Sequence, residues 1–201
     1  MCDGFSNRNI IDTFCNPTLV YPRMEFGGDI MIPVKVEALL VGSVPGKSVV
    51  VLRPYMEENS NSRVLPIYVG MPEAVSISSA LENKQSRRPQ THDLTMDIID
   101  ELGGKFERAV IDRVDGMNFY AKIVLNQDGD VFEIDSRPSD AIAIALRAEA
   151  PIYVEEPVFT AASVVFDNDR NRIDEKELEE FHDYVETLTP DDFANPDESN
   201  S

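Results

Sequence analysis

Residues 116–147 read GMNFYAKIVLNQDGDVFEIDSRPSDAIAIALR, and this stretch decides the fold class. Apolar and polar residues alternate over Met117–Leu125 and again over Val131–Asp135, and Asp128-Gly129 separates the two runs. An aspartate-glycine pair between alternating runs predicts a β-hairpin. Pro138 then predicts the start of a helix, because proline is favoured in the first helical turn. The stretch therefore predicts two paired strands followed by a helix.

The same kinds of pattern extend to both sides of this stretch. Further strands are predicted at Ile32–Leu40, Val49–Leu52, Val64–Val69, Phe106–Val114 and Ile152–Val154. Helices are predicted from Pro72, from His92 to Leu102 with Thr91 as the N-cap, and from Pro138 to about Ala148. On the middle helix, the i, i+4, i+8 spacing of Leu94, Ile98 and Leu102 predicts a stripe that faces the core.

Both halves of the central region predict strand, strand, strand and helix in that order. The two helices share an acidic residue followed by small and aliphatic residues, at residues 73–77 (EAVSI) and 140–144 (DAIAI). The match predicts two βββα units related by a pseudo-twofold axis. Five matching positions are also compatible with chance.

The composition predicts one globular domain with extensions. The chain has 201 residues, is 42% hydrophobic and carries a formal net charge of -19. We expect a flexible leader over 1–30, the core over 31–160, and an acidic helix with a disordered tail over 161–201. This last segment contains 3 basic and 13 acidic residues. Such a chain repels nucleic acid at long range, so a nucleic-acid role requires a local basic site. The loop Lys84–Arg88 is the candidate, although an ordinary solvated loop has the same composition.

Neither terminus nor any internal segment predicts secretion or membrane insertion. Cys2 and Cys15 have no metal-ligand spacing and are too few for a disulfide framework. The N-terminus lacks a basic segment followed by a long apolar run, and no stretch approaches the roughly 18 apolar residues of a membrane span. We therefore expect a cytoplasmic protein with no membrane partner.

The residues that could support chemistry are carboxylates, arginines and one histidine. Glycine-rich phosphate loops, nucleophile elbows and His-Glu-x-x-His are absent from the sequence. Two segments, RRPQTHDL at 87–94 and DSRPSDA at 135–141, hold the main candidates: His92, Asp93, Asp135 and Asp140 for catalysis, with Arg87, Arg88 and Arg137 as phosphate contacts. A wider set adds Arg147, Glu155 and Glu156.

Phosphodiester hydrolysis is the chemistry that these residue types permit. It requires an activated water and neutralisation of charge on the phosphate oxygens, and carboxylates that hold Mg²⁺ or Mn²⁺ supply both. Asp93, Asp135 and Asp140 are the candidate metal ligands, and His92 is the candidate proton donor or acceptor. We expect the site where the two helix starts meet.

A structural interpretation of the same residues remains open. Thr91, Asp93 and Asp140 are also ordinary capping residues for a helix start, where carboxylates are stabilised by the helix dipole. Pairs such as Arg137 with Asp135, or Arg88 with Asp93, are compatible with ion pairs that fix loop geometry.

The runs RVLPIYVGMPEAVSISSALE, RRPQTHDL, GMNFYAKIVL and DSRPSDAIAIALRAEAPIYVEE resemble the bifunctional nuclease domain family. The resemblance covers about residues 34–160. It implies an α+β domain with a largely antiparallel, barrel-like sheet flanked by helices, a tendency to form homo-oligomers, and nuclease activity on RNA and DNA. The roles of individual residues are our inference from position and chemistry.

Three hypotheses follow. The first is a cytoplasmic nuclease that uses divalent cations. The second is a non-catalytic, oligomeric binding or regulatory module in which both motifs are structural. The third is a binder of small anions or nucleotides at the helix starts.

Overall fold

The computed structural model describes residues 23–26, 29–44, 47–55, 63–84 and 86–165. The predicted acidic helix and tail, and most of the predicted leader, lie outside these residues. In chain order the elements are β1 (Met24–Phe26), β2 (Asp29–Val44), β3 (Lys47–Pro54), β4 (Arg63–Gly70), α1 (Met71–Leu81), α2 (Thr91–Glu101), β5 (Lys105–Asp115), β6 (Asn118–Gln127), β7 (Asp130–Ser136), α3 (Pro138–Arg147), β8 (Ile152–Glu155), α4 (Glu156–Ala162) and β9 (Val164–Val165).

The strands form one mixed sheet in the order β7-β6-β5-β8-β2-β3-β4-β9, with β1 paired to β2. Every pairing is antiparallel except that of β5 with β8. The predicted α+β class with a largely antiparallel sheet is confirmed. The sheet is not closed into a barrel, because no pairing among the described residues joins the end strands β7 and β9.

The predicted hairpins form at both aspartate-glycine pairs. Gly116 joins β5 to β6 with φ +57°, and Asp128 and Gly129 join β6 to β7 with φ +54° and +97°. These left-handed conformations favour glycine and are tolerated by aspartate, which explains why this dipeptide predicts the turns.

The helix α3 lies at the centre of the core. Its residues Ala141, Ile142, Ala143, Ile144 and Ala145 are all buried, and α1, α2, β5 and β6 pack around it. The small alanine side chains let neighbouring elements approach the helix closely. As a result, the polar residues at the two ends of α3 are held in fixed positions at the edge of the core.

Two predictions for α2 are wrong. The stripe of Leu94, Ile98 and Leu102 does not face the core, because these side chains are 51%, 49% and 70% exposed, and Ile99 is the residue of α2 that is buried. Helical spacing identifies an apolar stripe but not the surface that covers it. The N-cap is Gln90 rather than Thr91, and the Gln90 backbone N–H donates to the Asp93 carboxylate.

The chain extends the fold past residue 160. The short helix α4 and the strand β9 were not predicted, and β9 pairs with β4 at the edge of the sheet. The order of β2–β4 with α1, and of β5–β7 with α3, matches two βββα units, while their pseudo-twofold relation stays a prediction. None of the described helices has the length and apolar character needed to cross a membrane.

Candidate active site

Polar side chains from three helices form one connected network. The linked residues are Glu73 and Ser76 of α1, His92 and Asp93 of α2, and Arg137, Asp140 and Arg147 at the two ends of α3. We call these residues the interhelical cluster. It forms because α1 and α2 both pack against α3. The two helix starts predicted to form a site therefore do meet.

His92 bridges all three helices. Its Nε2 lies 3.0 Å from Asp140 Oδ1, its Nδ1 lies 2.8 Å from Ser76 Oγ, and its side chain is 14% exposed. One hydrogen-bonding scheme satisfies every donor: Arg147 donates to Ser76, the Ser76 hydroxyl donates to Nδ1, and Nε2–H donates to the Asp140 carboxylate. The proton positions follow from the network as a whole.

Arg137 forms the outer end of the cluster. Its guanidinium is paired with Asp140, at 2.8 Å from Nε to Oδ2, and with Glu73, at 3.0 Å from Nη1 to Oε1. The Arg137 side chain is 66% exposed, so solvent reaches a cation that two carboxylates already hold in place. Burial alone would raise the pKa of Asp140, but hydrogen bonds from Arg137 and His92 outweigh it and keep that pKa below its ordinary value.

Arg147 forms the inner end of the cluster. Its Nε lies 2.6 Å from Asp93 Oδ1, its Nη2 lies 3.1 Å from Ser76 Oγ, and its Nη1 donates to the Ala143 carbonyl at 2.8 Å. The side chain is only 11% exposed. The hydrogen bond from Arg147, together with that from the Gln90 backbone, lowers the pKa of Asp93 against the opposing effect of burial. This end therefore fixes α2 to α3.

A pocket of about 440 Å³ opens beside the outer end of the cluster. Its walls include the aromatic side chains of Tyr68 and Phe119, Glu73 at the start of α1, Asp135 near the end of β7 and Arg137 just before α3. His92 and Asp93 do not line it. Arg137 is thus the member of the cluster that is best placed to contact an anion in the pocket.

The candidate metal ligands do not form a metal site in the described residues. No group of three or more His, Cys, Asp or Glu side chains there is positioned to hold a cation. Both oxygens of Asp93 and both of Asp140 already accept hydrogen bonds, while Asp135 lies on β7 and is not linked to either. The donor set present does not fit Mg²⁺ or Mn²⁺, and the metal role of these aspartates stays a prediction.

Arg87 and Arg88 are not part of the interhelical cluster. Both are exposed in the loop before α2, and neither has an ion pair or hydrogen bond with another described side chain. Their role as phosphate contacts stays a prediction.

Two members of the cluster, Glu73 and Ser76, were absent from the sequence candidates. Ser76 is buried on the small-residue face of α1, and Glu73 lies in the first turn of that helix. One sequence signal could have identified them. A charged residue and a hydroxyl residue lie three positions apart at the start of a helix whose face is otherwise small and apolar.

The protein is therefore of the α+β class, with an open and mostly antiparallel sheet. Its polar cluster links side chains of three helices. The family model of the bifunctional nuclease domain matches residues 51–167. The chain therefore belongs to the bifunctional nuclease domain family.

Similar proteins occur in bacteria and plants. An uncharacterized protein of Mycobacterium tuberculosis is 33% identical over 166 residues, which is 80% of this chain and 96% of the relative. Bifunctional nuclease 2 of Arabidopsis thaliana is 30% identical over 102 residues, and bifunctional nuclease 2 of Oryza sativa subsp. japonica is 32% identical over 100 residues. These matches cover 49% and 48% of this chain and 31% of each plant protein.

Proposed function

We propose that this protein hydrolyses phosphodiester bonds in RNA, DNA or both, at the outer end of the interhelical cluster. The single observation that carries the proposal is the linkage of His92, Asp140 and Arg137, in which the guanidinium borders a pocket of about 440 Å³. The family membership and the names of the plant relatives support the same reaction class.

Arg137 binds the scissile phosphate in this proposal. Arginine pairs with phosphate through two parallel hydrogen bonds, and charge-assisted bonds of this kind are among the strongest in proteins. A phosphate in the pocket competes with Asp140 and Glu73 for the guanidinium. Because the two carboxylates already orient Arg137, little side-chain freedom is lost when the phosphate binds.

His92 and Asp140 carry out the proton transfers of the reaction. The water oxygen attacks phosphorus, its proton passes to the imidazole, and the bond from phosphorus to the leaving sugar oxygen breaks as that oxygen takes up a proton from the imidazolium. Asp140, 3.0 Å from Nε2, stabilises the imidazolium between the two transfers. In this structure Ser76 occupies the ring nitrogen that carries the lone pair, and neither His92 nor Asp140 lines the pocket. The step therefore requires Ser76 to release Nδ1 and the imidazole to turn toward the pocket.

Divalent-cation assistance is a separate part of the proposal. Asp93 and Asp140, which would hold Mg²⁺ or Mn²⁺, are paired with arginines, and Asp135 lies apart from both. The steps above therefore use no divalent cation. A cation-dependent reaction would require Asp93 and Asp140 to exchange their present partners for the ion.

The experiment that tests the proposed function is a nuclease assay on single-stranded RNA and DNA oligonucleotides. Wild-type protein, His92→Ala and Asp140→Asn are purified identically and assayed with EDTA, Mg²⁺ or Mn²⁺. We expect the two variants to lose about 10²- to 10⁴-fold in rate, as is typical when a proton-transfer group is removed.

The matched control is His182→Ala, which removes the only other histidine of the chain. It should cleave at the wild-type rate. Equal activity in all four proteins would assign the cleavage to a contaminant or to another site. Loss of activity in EDTA, with recovery in Mg²⁺ or Mn²⁺, would support the cation-dependent form of the reaction.

A second candidate is a non-catalytic binding or regulatory module in which the cluster holds the helices together. The observation that favours it is the complete pairing of Asp93 and Asp140 within the protein. This candidate predicts that His92→Ala lowers the free energy of unfolding while no protein in the series cleaves either oligonucleotide.

We also propose that the protein works in the cytoplasm and meets nucleic acid through the basic loop before α2. The sequence feature in support of the contact is the position of Arg87 and Arg88 in an otherwise acidic chain. Substitution of both arginines by glutamine should weaken binding to oligonucleotides and reduce its salt dependence.

A further inference from the structure

The pocket beside the outer end of the interhelical cluster contains a hydroxyl group that the protein itself does not use. Ser139, in the first turn of α3, lines this pocket and is only 7% exposed. Its hydroxyl forms no hydrogen bond with any residue that the structure describes. Buried polar groups in proteins are nearly always hydrogen-bonded, and each exception requires an explanation. A ligand in the pocket would supply the missing partner.

The first turns of two helices form part of the same pocket wall. Gly70 and Glu73 belong to the start of α1, and Arg137 and Ser139 belong to the start of α3. Backbone N–H groups in a first turn have no partner within their helix, and the helix dipole makes this end positive. The guanidinium of Arg137 adds a full positive charge. This part of the wall therefore favours a phosphate group, to which the Ser139 hydroxyl can also donate.

Another part of the pocket wall is aromatic. Phe119, near the start of β6, packs against the core but is only partly buried, and Tyr68 of β4 lines the pocket as well. Aromatic side chains stack on nucleobases whatever the base, because every base has a π-face. The exposed Asn118 beside Phe119 adds an amide, which can both donate to and accept from the edge of a base. This part of the wall therefore favours a nucleobase.

We propose that the pocket is a subsite for one nucleotide unit, in which Ser139 and Arg137 bind the phosphate and Phe119 stacks on the base. The inference rests on the proposed function for the origin of the nucleotide, and it adds the base contact and the role of Ser139. The volume of about 440 Å³ lies within the range of roughly 300–1,000 Å³ that is typical of small-molecule sites. The ligand is a free nucleoside monophosphate or one unit of a strand, which share this chemistry.

The two carboxylates of the pocket are compatible with a nucleotide. Glu73 is neutralised by its ion pair with Arg137. Asp135 is exposed and has no ion pair with another described residue. A carboxylate accepts hydrogen bonds from the hydroxyls of a sugar but repels a bare phosphate. The pocket should therefore prefer a nucleotide to inorganic phosphate.

The first test is calorimetric titration of the full wild-type chain with adenosine monophosphate, a ligand that contains no phosphodiester bond. Adenosine, ribose phosphate and inorganic phosphate are titrated in parallel. We expect the nucleotide to bind about tenfold more tightly than each of these, because each lacks the base that stacks or the phosphate that Arg137 binds. Ribose phosphate that binds as tightly as the nucleotide would overturn the base contact. Adenosine that binds as tightly would overturn the phosphate contact.

The second test compares two serines of the same pocket. Ser139→Ala should bind adenosine monophosphate about tenfold more weakly, because it removes a donor to a charged group, and should keep the wild-type midpoint of urea unfolding. Ser136→Ala is the matched control, because the Ser136 hydroxyl also lines the pocket but already donates to the Arg137 carbonyl at 3.1 Å. It should bind the nucleotide as wild type does. A Ser139→Ala variant that is destabilised but binds normally would overturn the proposal, as would equal binding by both variants.

A trinucleotide of RNA distinguishes the two sources of the ligand. It is titrated into His92→Ala, which the proposed function makes inactive, and into the same variant with Ser139→Ala added. Weaker binding of the trinucleotide in the double variant supports a strand unit, and an effect of Ser139→Ala on adenosine monophosphate alone supports a free mononucleotide. An effect on neither ligand would overturn the subsite.

Binding is the readout of all these tests, so they are separate from the test of hydrolysis. Nucleotide binding that depends on Ser139 in a protein that cleaves nothing would support the subsite and contradict the proposed function. Cleavage without any binding that depends on Ser139 would do the reverse.

Discussion

The two ends of the interhelical cluster contain the same chemical pair in different surroundings. At the outer end Arg137 pairs with Asp140 and is 66% exposed, and at the inner end Arg147 pairs with Asp93 and is 11% exposed. Exposed ion pairs add little to stability, while removing one partner of a buried pair is costly. The two carboxylates are similarly exposed, 35% for Asp93 and 28% for Asp140, so the difference lies in the arginines. Arg147 is nearly buried and also holds Ser76 and the Ala143 carbonyl, which gives it a structural role, whereas solvent and a ligand can reach Arg137.

Removing the inner arginine should produce the largest change. Arg147→Ala removes hydrogen bonds to Asp93, Ser76 and the Ala143 carbonyl, and we expect the free energy of unfolding to fall by about 2 kcal/mol. Urea denaturation measures it. Arg137→Ala is the matched variant, with an expected loss of less than about 1 kcal/mol. Equal losses would contradict the division into a structural and a ligand-binding end.

Removing the outer arginine should affect activity instead. Arg137→Ala should lower kcat/KM for an oligonucleotide about 100-fold, as loss of a donor to a charged transition state does. Arg113→Ala is a suitable control, because Arg113 is also exposed but lies over the Tyr120 ring. If the two variants cleave at the same rate, Arg137 is not a phosphate contact.

Acid should lower the free energy of unfolding, and part of this loss should come from protonation of Asp140 at the outer end. Its pKa is lowered in the folded protein, so the folded state favours the carboxylate. The resulting stabilisation is fully present above the unfolded pKa, near 3.8, and is lost over the acid range in which the pH falls through the lower folded pKa. Asp140→Asn should show a smaller decline in unfolding free energy than wild type over this range. An identical decline would remove Asp140 from the ionised network.

Ser76 joins the two ends, and its removal should have the smallest effect. Ser76→Ala breaks hydrogen bonds with His92 and Arg147, and we expect a loss of about 1 kcal/mol in unfolding free energy. A double-mutant cycle between His92→Ala and Arg147→Ala should give a coupling energy that disappears in the Ser76→Ala background. A coupling that persists would mean that the ends communicate through α3 rather than through the hydroxyl.

The elements near the site were predictable because each depends on local chemistry. Asp128-Gly129 specifies its turn and Pro138 its helix start within a few residues. The meeting of His92 with Asp140 was expected from the two helix starts, although the chain separates them by 48 positions.

What could not be predicted depends on which surfaces face each other. The stripe on α2 was assigned to the core because periodicity does not reveal that α2 lies outside α3. Ser76 was missed because a serine on a small-residue face looks like a packing residue until its neighbours are known. The full pairing of Asp93 and Asp140, which argues against a metal site in this conformation, likewise depends on arginines that come from other segments.

Chemical rescue of His92→Ala tests most directly whether the outer end cleaves phosphodiesters. The variant is assayed on an oligonucleotide with increasing imidazole. Arg147→Lys is assayed in parallel to test whether the inner end contributes to the rate. We predict a rate about 10²- to 10⁴-fold below wild type, partly restored by imidazole because the added base occupies the vacated volume beside Asp140. A wild-type rate in His92→Ala at equal folded fraction would contradict the account.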